Sequence, residues 1–347
     1  MSHITKYPRS DPQLESASAI WKLTDIANYR LGGYWPNAGS RALIGGGLAP
    51  AESDVIDYVT LSSTGNATDF GNLQSTKYNL GSSGNGHRGF FIGGFDGYPT
   101  EINVIDYVTI SSTGNAADFG NLSVAAAVTR GASNDTRALH MGGGDASSSV
   151  GYSNVTDFFF MSSTGNAFDF GDLTLARGQA GSVNSSTRAL LGGGRSGTPA
   201  SNTPSDVIDY VEIATTGNAS DFGNLTVAKG YLAGCSSSVR GVFCGGQAPG
   251  NTNVLEYITM ASTGNASDFG DASAVSSRNC ATSNSKRGIF MPGDNPDNKN
   301  IIDYFTIATT GNASDFGDLS VARANAVATS DSHGGLSGGS SRDAFLT

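Results

Sequence analysis

The chain has 347 residues, of which 48 are glycine and only 14% are charged, whereas about a quarter are charged in an average domain. The formal net charge of −10 argues against phosphate-dominated binding to nucleic acid, because such binding needs Lys and Arg side chains that displace counterions. The weakly charged, glycine-rich composition favours tightly turned β-structure over helices.

Residues 1–40 lie outside the repetitive part of the chain and predict a partly helical extension. Asp11-Pro12 is suited to a helix start, since Asp caps the helix and Pro is tolerated in its first turn. Gly32-Gly33 would end the helix, which is expected over residues 13–31. Two roles are open: a helix packed across the repetitive domain, or an anchor to another protein. The anchor residues would be Trp21, Leu23, Ile26, Tyr29 and Trp35.

Six copies of the phrase Thr-Gly-Asn-Ala-x-Asp-Phe-Gly follow, and their starts are 49, 51, 52, 47 and 47 residues apart. This period lies in the range of four-stranded propeller blades and is too long for leucine-rich or ankyrin repeats. The first Gly and the Phe of each phrase are predicted to be structural, with each Phe buried between blades. These residues are Gly65, Phe70, Gly114, Phe119, Gly165, Phe170, Gly217, Phe222, Gly264, Phe269, Gly311 and Phe316.

The fourth copy shows the repeating unit most clearly. Arg188–Gly194 predicts a short apolar strand ending in glycines, and Val207–Ile213 predicts a β-branched strand with a Tyr. Thr216-Gly-Asn predicts a tight turn in which Gly and Asn supply positive φ, and Tyr231–Ser238 would be the last strand. Because the strands are apolar on both faces, each sheet is expected to be covered on both sides, as in blades packed around an axis.

Several features of the unit together resemble the kelch repeat. In the fourth copy they are the paired glycines Gly192-Gly193, Tyr210, the aromatic Phe222 and Lys229 before the following strand. The Phe of Asp-Phe-Gly stands where kelch units usually carry Trp. The resemblance implies an all-β, kelch-like β-propeller but indicates little about function, because kelch-like propellers include adhesins, scaffolds and oxidases.

Six strands equivalent to Val207–Ile213 and six Asp-Phe-Gly phrases predict six blades. The stretch Ala324–Ser330 would pair with the first blade and close the ring. His333–Gly339 resembles a degenerate seventh copy of the apolar strand that ends in glycines, so seven blades are the alternative. The predicted organisation is therefore an extension or anchor at 1–40, a propeller at 41–340 and a C-terminal tail at 341–347.

The copies differ most in the loop after each glycine strand. In a propeller these loops emerge on one face, and loops on a rigid scaffold are the usual place for recognition. Three loop aromatics are suited to stacking on a sugar or packing on a protein: Phe95, Tyr98 and Tyr152. The alternative explanation is that these exposed loops tolerate sequence changes that have no function.

No pattern of residues indicates catalysis. The four histidines, His3, His87, His140 and His333, form no metal-binding pair. Gly84–Gly89 matches G-x-G-x-x-G, but a strand is predicted after it where a dinucleotide site needs a helix. Asp-Phe-Gly occurs without the other kinase motifs. The chain is therefore predicted to be no enzyme, with no catalytic residue, cofactor or metal.

The segment Ser18–Pro36, with its Trp-x-Leu stretch and closing Trp-Pro, resembles a segment of tailed-bacteriophage virion proteins. The repeat is also similar to the kelch-type arrays of marine phage structural proteins. The resemblance implies a non-enzymatic structural protein of a virion, in the tail or a tail fibre and in multiple copies. The implied partners are other virion proteins and a host-surface glycan or protein, without nucleic acid.

Location in the virion after synthesis in the host cytoplasm is expected, since Met1–Leu14 lacks the apolar core of a signal peptide. No run of roughly 18 apolar residues occurs, so no membrane insertion is expected. A carbohydrate-binding adhesin is the alternative function, and an enzyme is the least favoured.

Overall fold

A computed structural model describes residues 40–144, 151–197, 202–294 and 296–336. Within these ranges the chain consists of strands, turns and loops and contains no helix, as the predicted all-β class requires. The predicted extension, with its helix at 13–31 and its five anchor residues, lies outside the described residues, as does the tail at 341–347.

In these ranges the strands form six four-stranded antiparallel sheets, here sheets 1 to 6, each with an inner, a second, a third and an outer strand. In that order, sheet 1 comprises Val327–Ser330, Arg41–Gly45, Val55–Thr60 and Thr68–Asn72; sheet 2, Gly81–Gly84, Arg88–Ile92, Val104–Thr109 and Ala117–Asn121; sheet 3, Arg130–Ser133, Arg137–Gly143, Ser153–Phe160 and Phe168–Asp172. Sheet 4 comprises Gly181–Asn184, Arg188–Gly192, Val207–Glu212 and Ser220–Asn224; sheet 5, Ala233–Ser236, Arg240–Ala248, Gly250–Thr259 and Ser267–Ser276; sheet 6, Cys280–Ser283, Arg287–Met291, Ile301–Thr306 and Ser314–Asp318.

Two small sheets extend the loops that follow second strands. Leu48–Ala49 pairs with Ala51–Glu52, and Arg195–Ser196 lies between Arg177–Gly178 and Thr203–Pro204. They fix loop backbones that would otherwise rely on solvent for their hydrogen bonds.

The last described strand pairs with the first. Val327–Ser330 lies antiparallel to Arg41–Gly45, so the predicted pairing of the C-terminal strand with the first sheet is confirmed. The six inner strands contact one another in a closed cycle from sheet 1 through sheet 6 and back. This arrangement is consistent with a β-propeller. Residues 333–336, the described part of the suggested seventh glycine strand, form a turn and no strand.

The repeated phrase joins each sheet to the next. Gly114 and Ala116 donate their amide hydrogens to the carbonyls of Phe70 and Asn72, both at 2.8 Å, and the Asn115 side chain accepts from the amide of Asn72 at 3.1 Å. The same three bonds recur at every junction of the six sheets, and Gly65 to Phe316 at 2.8 Å completes the cycle. The outer-strand edges are thereby paired instead of exposed.

The prediction of positive φ at the Asn of Thr-Gly-Asn is wrong. Gly65 has a φ of +156°, but none of the six Asn residues has a positive φ, because this segment runs along the neighbouring sheet and uses the Asn side chain as an acceptor. The Gly of Asp-Phe-Gly is required by the same contact. A Cβ on Gly71 would lie 2.4 Å from the carbonyl oxygen of Gly114.

The Arg that begins each second strand makes a second kind of contact between neighbouring sheets. Arg287 lies over the ring of Tyr304 at 4.5 Å and donates to the carbonyl of Leu61 at 2.9 Å, from sheet 6 to sheet 1. Five equivalent arginines make the same pair of contacts: Arg41, Arg88, Arg137, Arg188 and Arg240. Every sheet is thus fastened to the next by side chain and backbone alike.

The hydrophobic core lies between adjacent sheets. The Phe of each Asp-Phe-Gly is 2% exposed in all six copies, so the predicted burial is confirmed. Phe222 of sheet 4 packs in one cluster with Phe243 and Ile258 of sheet 5, and its ring meets Tyr210 edge-on at 5.9 Å. Each Phe therefore fills the space between two sheets.

Candidate functional site

The loops after the second strands pair with the connecting segments that lead from each outer strand to the next inner strand. Leu48 pairs with Ala324, Phe95 with Tyr78, Gln247 with Gly230 and Asp294 with Ser277, and Arg195 pairs with Gly178. These loops and connecting segments lie beyond the same ends of the strands, and we call this side the loop face.

A closed ring of backbone hydrogen bonds organises the loop face. Each connecting segment contains one non-glycine residue with φ between +50° and +58°. The amide of each donates to the carbonyl of the previous one, as Val128 does to Asn79 at 2.8 Å, until Asn79 donates to Asn325 at 3.0 Å. The six residues are Asn79, Val128, Gln179, Tyr231, Arg278 and Asn325. The ring holds six residues in a conformation that each would disfavour alone by roughly 1 kcal/mol or more.

The three predicted contact aromatics have different exposures on the loop face. Tyr98 is 55% exposed, while Phe95 and Tyr152 are buried. The ring of Phe95 lies 5.4 Å from Tyr98 and 5.3 Å from Tyr78, within a cluster that includes Val128. Tyr98 is therefore the one of the three with an exposed ring, and this ring lies against Phe95.

A second group on the loop face was missed by sequence reasoning. Two guanidinium groups lie over the ring of Tyr231, Arg195 at 5.0 Å and Arg278 at 5.6 Å from its centroid. Arg278 also pairs with Asp294 at 2.6 Å, and Arg195 donates to the Gln247 side chain at 2.5 Å. Such a stack suits the recognition of a planar or anionic group. The two arginines come from different repeats at non-equivalent positions, so no single-repeat pattern reveals them.

A cavity of about 60 Å³ lies among the inner strands, large enough for a few water molecules. Ser82, Ser236, Cys280 and Arg130 contribute to its lining. The Arg130 guanidinium donates to the carbonyls of Thr129 and Leu232 at 2.8 and 3.4 Å. Burial lowers the pKa of Arg130 to about 10, which still leaves it charged at neutral pH.

Side-chain hydroxyl groups tie the inner strands together at the end away from the loop face. Ser236 donates to the carbonyl of Asn184 at 2.7 Å and accepts from its amide at 3.0 Å. Ser133 and Ser283 make the equivalent bonds to Gly84 and Ser236. The serines recur because each bridges to the strand before it.

His333 covers this end of the cavity. Its Nε2 donates to the carbonyl of Gly84 at 2.8 Å, and its Nδ1 accepts from the amide of Gly335 at 3.1 Å. Burial lowers the pKa of His333, so the neutral imidazole that these two bonds require is favoured. The segment after the last strand thus contributes His333 to the lining of the cavity.

A row of buried ion pairs runs beneath the loop face. Each third strand carries one buried carboxylate, and at four junctions it meets a Lys or Arg of the connecting segment. The pairs are Lys77–Asp106 at 2.7 Å, Arg177–Asp209 at 3.1 Å, Lys229–Glu256 at 2.5 Å and Arg323–Asp57 at 3.0 Å. At the other two junctions the carboxylates are Asp157 and Asp303, and the equivalent connecting-segment residues are Ala126 and Ser276.

His140 stands opposite Asp157 in the ladder of sheet 3 and is 3% exposed. Burial lowers its pKa to about 4, although the Asp157 carboxylate acts in the opposite direction. The other second strands carry Ile44, Phe91, Leu191, Phe243 and Phe290 at this position. His140 is therefore a neutral core side chain at pH 7.

We expect His140 to make the protein acid-sensitive. Its folded pKa of about 4 lies below the unfolded value of about 6.5, so the unfolded state binds more protons between these values and stability is lost as pH falls through this window. The contribution is about 3 kcal/mol in total. Urea unfolding of wild type and His140→Phe at neutral and mildly acidic pH should show a smaller acid loss in the variant.

The control is His87→Phe, since His87 is exposed. It should keep the wild-type pH dependence. An unchanged acid loss in His140→Phe would show that other groups, such as His333, account for it.

Among the described residues, no group of three or more His, Cys, Asp or Glu side chains is placed to hold a metal ion. The same part of the chain contains no helix that is long and apolar enough to cross a membrane. No protein-family model and no curated protein sequence matches the chain.

Proposed function

We propose that the chain is a six-bladed kelch-like β-propeller that serves as a non-enzymatic structural protein of a bacteriophage virion, associated with the tail or a tail fibre. The six four-stranded sheets, the pairing of the last strand with the first and the closed cycle of inner-strand contacts support the propeller. The resemblance of the repeat and of the N-terminal segment to phage virion proteins supports the virion.

The observation that best supports a structural role is that the same contacts between neighbouring sheets recur at every junction. Gly-Asn-Ala pairing and the Arg–carbonyl contact recur from sheet to sheet. They give a rigid body in which differences between repeats are concentrated on the loop face. A catalytic pocket needs unlike residues brought together, whereas a scaffold needs equivalent junctions.

Attachment to the particle is assigned to the segment before the first strand. The described sheets pair with one another through residues 41–330, so their pairing does not require residues 1–39. In this proposal the interface is formed by Trp21, Leu23, Ile26, Tyr29 and Trp35, since the core of an interface is typically rich in aromatic side chains. The loop face, with Tyr98 and Arg278, would point away from the particle toward the host surface.

We expect Trp21→Ala together with Trp35→Ala to reduce incorporation into particles without reducing the stability of the β domain. Each Trp would contribute roughly 2 kcal/mol or more if it is an interface hot spot. Particles made with tagged wild-type or variant chain are purified, and the tag is quantified and located by gold labelling and electron microscopy. Tyr34→Ala, in the same segment, serves as the matched control.

Normal incorporation of the double variant would contradict the anchor. Absence of wild-type chain from purified particles would contradict the virion function itself. A chain that is absent from particles but binds host cells through Tyr98 would favour the carbohydrate-binding adhesin, for which the exposed Tyr98 ring on its aromatic base is the specific observation.

A further inference from the structure

We propose that a monovalent metal cation, Na⁺ or K⁺, binds beside Asp303 in sheet 6, where four other junctions place a Lys or Arg side chain. The proposal concerns the stability of the closed cycle of six sheets and is independent of the proposed function.

The comparison between junctions fixes the equivalent positions. Lys77, Arg177, Lys229 and Arg323 each stand two residues before a positive-φ residue of the backbone ring, and Ser276 stands two residues before Arg278. The carboxylates are equivalent as well, since Asp303 lies opposite Phe290 as Glu256 lies opposite Phe243. Sheet 6 therefore has the carboxylate of the pair, Asp303, but has Ser276 at the position that carries a Lys or Arg elsewhere.

Asp303 is fully buried. Its Oδ2 accepts from the amide and hydroxyl of Ser273 at 2.9 and 2.8 Å. Its Oδ1 has no hydrogen-bond partner, and neither has the buried hydroxyl of Ser276. No described Lys or Arg forms an ion pair with it. A buried carboxylate without a countercharge is costly.

Backbone oxygens complete the set of candidate ligands. In sheet 1 the Arg323 guanidinium contacts the carbonyls of Ile44 and Val55 at 3.0 and 3.2 Å, and the equivalent carbonyls in sheet 6 belong to Phe290 and Ile301. Val55 also accepts from the amide of Gly46 at 3.1 Å. Pro292 takes the place of Gly46 in sheet 6 and has no amide hydrogen to donate.

The donors are thus one carboxylate oxygen, one hydroxyl and backbone carbonyls. Oxygen donors suit hard cations, and Ca²⁺ sites usually supply more ligand charge than a single carboxylate. One negative charge matches a monovalent ion. A proton on Asp303 is the competing way to remove the charge, and burial raises the pKa of this carboxyl.

Asp157 of sheet 3 also faces no Lys or Arg, but its surroundings differ. The Ser123 hydroxyl lies 2.8 and 2.7 Å from its two oxygens, the Ser123 amide donates to Oδ2 at 2.9 Å, and His140 stands opposite. Of the two described junctions without a Lys or Arg, only the sheet 6 junction combines an unsatisfied carboxylate oxygen with an unsatisfied hydroxyl at the position where the Lys or Arg would stand.

The test is a thermal melt of the full chain in choline chloride, NaCl and KCl at equal ionic strength, with and without a chelator of divalent ions. We expect Tm to rise by several degrees in at least one of the metal salts. Ser276→Lys should melt higher than wild type in choline chloride and lose the dependence on Na⁺ or K⁺, because the ammonium group replaces the ion. Asp303→Asn should also lose the dependence.

Ser262→Lys adds the same charge at an exposed turn and should keep the wild-type cation dependence. Equal Tm of wild type in all three salts, or a salt dependence that disappears when the chelator is present, would overturn the proposal, as would a cation dependence that survives in Asp303→Asn. If Ser276→Lys does not fold, wild type and Asp303→Asn decide the question by themselves.

Discussion

Replacing Arg323 by Met is expected to lower the free energy of unfolding by about 3–5 kcal/mol, because the change leaves the buried Asp57 carboxylate without its countercharge. Both side chains of this pair are fully buried, and Arg323 also donates to the carbonyls of Ile44 and Val55. The pair joins the last connecting segment to the first sheet. Urea unfolding of wild type and variant under identical conditions measures the loss.

Two controls separate charge from packing. Arg323→Met combined with Asp57→Leu should lose less than Arg323→Met alone, since an apolar pair can replace a buried ion pair at little cost. Glu212→Gln removes the carboxylate of the partly exposed Arg188–Glu212 pair and should cost at most about 1 kcal/mol. If Arg323→Met costs no more than Glu212→Gln, the buried row contributes little to stability.

Replacing Phe222 by Ala is expected to cost about 3–5 kcal/mol, since the cavity opens in the core between sheets 4 and 5. Phe222 is 2% exposed and packs against residues of both sheets. Phe168→Ala is the matched control, because Phe168 is an outer-strand Phe that is 59% exposed, and it should change stability by about 0.5 kcal/mol or less. An unchanged melting temperature of Phe222→Ala would place this Phe outside the energetic core.

The strands and the burial of the six Phe residues could be predicted because both repeat with a fixed period and depend on local pattern. The partner of the Gly-Asn-Ala segment could not, since Asn115 meets Asn72 in the preceding repeat and a single unit reads as a hairpin turn. The backbone ring was also missed. Its positions carry Asn, Val, Gln, Tyr and Arg, so the backbone conformation repeats while the residue type does not.

The same limit applies to the loop face. Three loop aromatics have the same chemical character, but Phe95 and Tyr152 pack beneath the loops and only Tyr98 is exposed. The stack of Arg195, Tyr231 and Arg278 joins two repeats through tertiary contacts that no local pattern encodes. An alignment of the repeats shows that position 276 lacks the Lys or Arg of four other copies. The consequence of this difference depends on the burial of Asp303, which the alignment does not show.

The sharing of sheet 1 between the two ends of the ring has a consequence for biosynthesis. Arg41–Gly45 is among the first strands to leave the ribosome, yet its inner partner Val327–Ser330 is the last of the described strands. Sheets 2 to 6 can form in order during translation, whereas sheet 1 keeps one edge unpaired until Val327–Ser330 has been made. Contacts of such long sequence separation form slowly, and unpaired strand edges attract other chains in the meantime. A ribosome that stops before Val327–Ser330 therefore releases an open arc of sheets, and the completed sheet 1 distinguishes chains that contain this strand from chains that lack it.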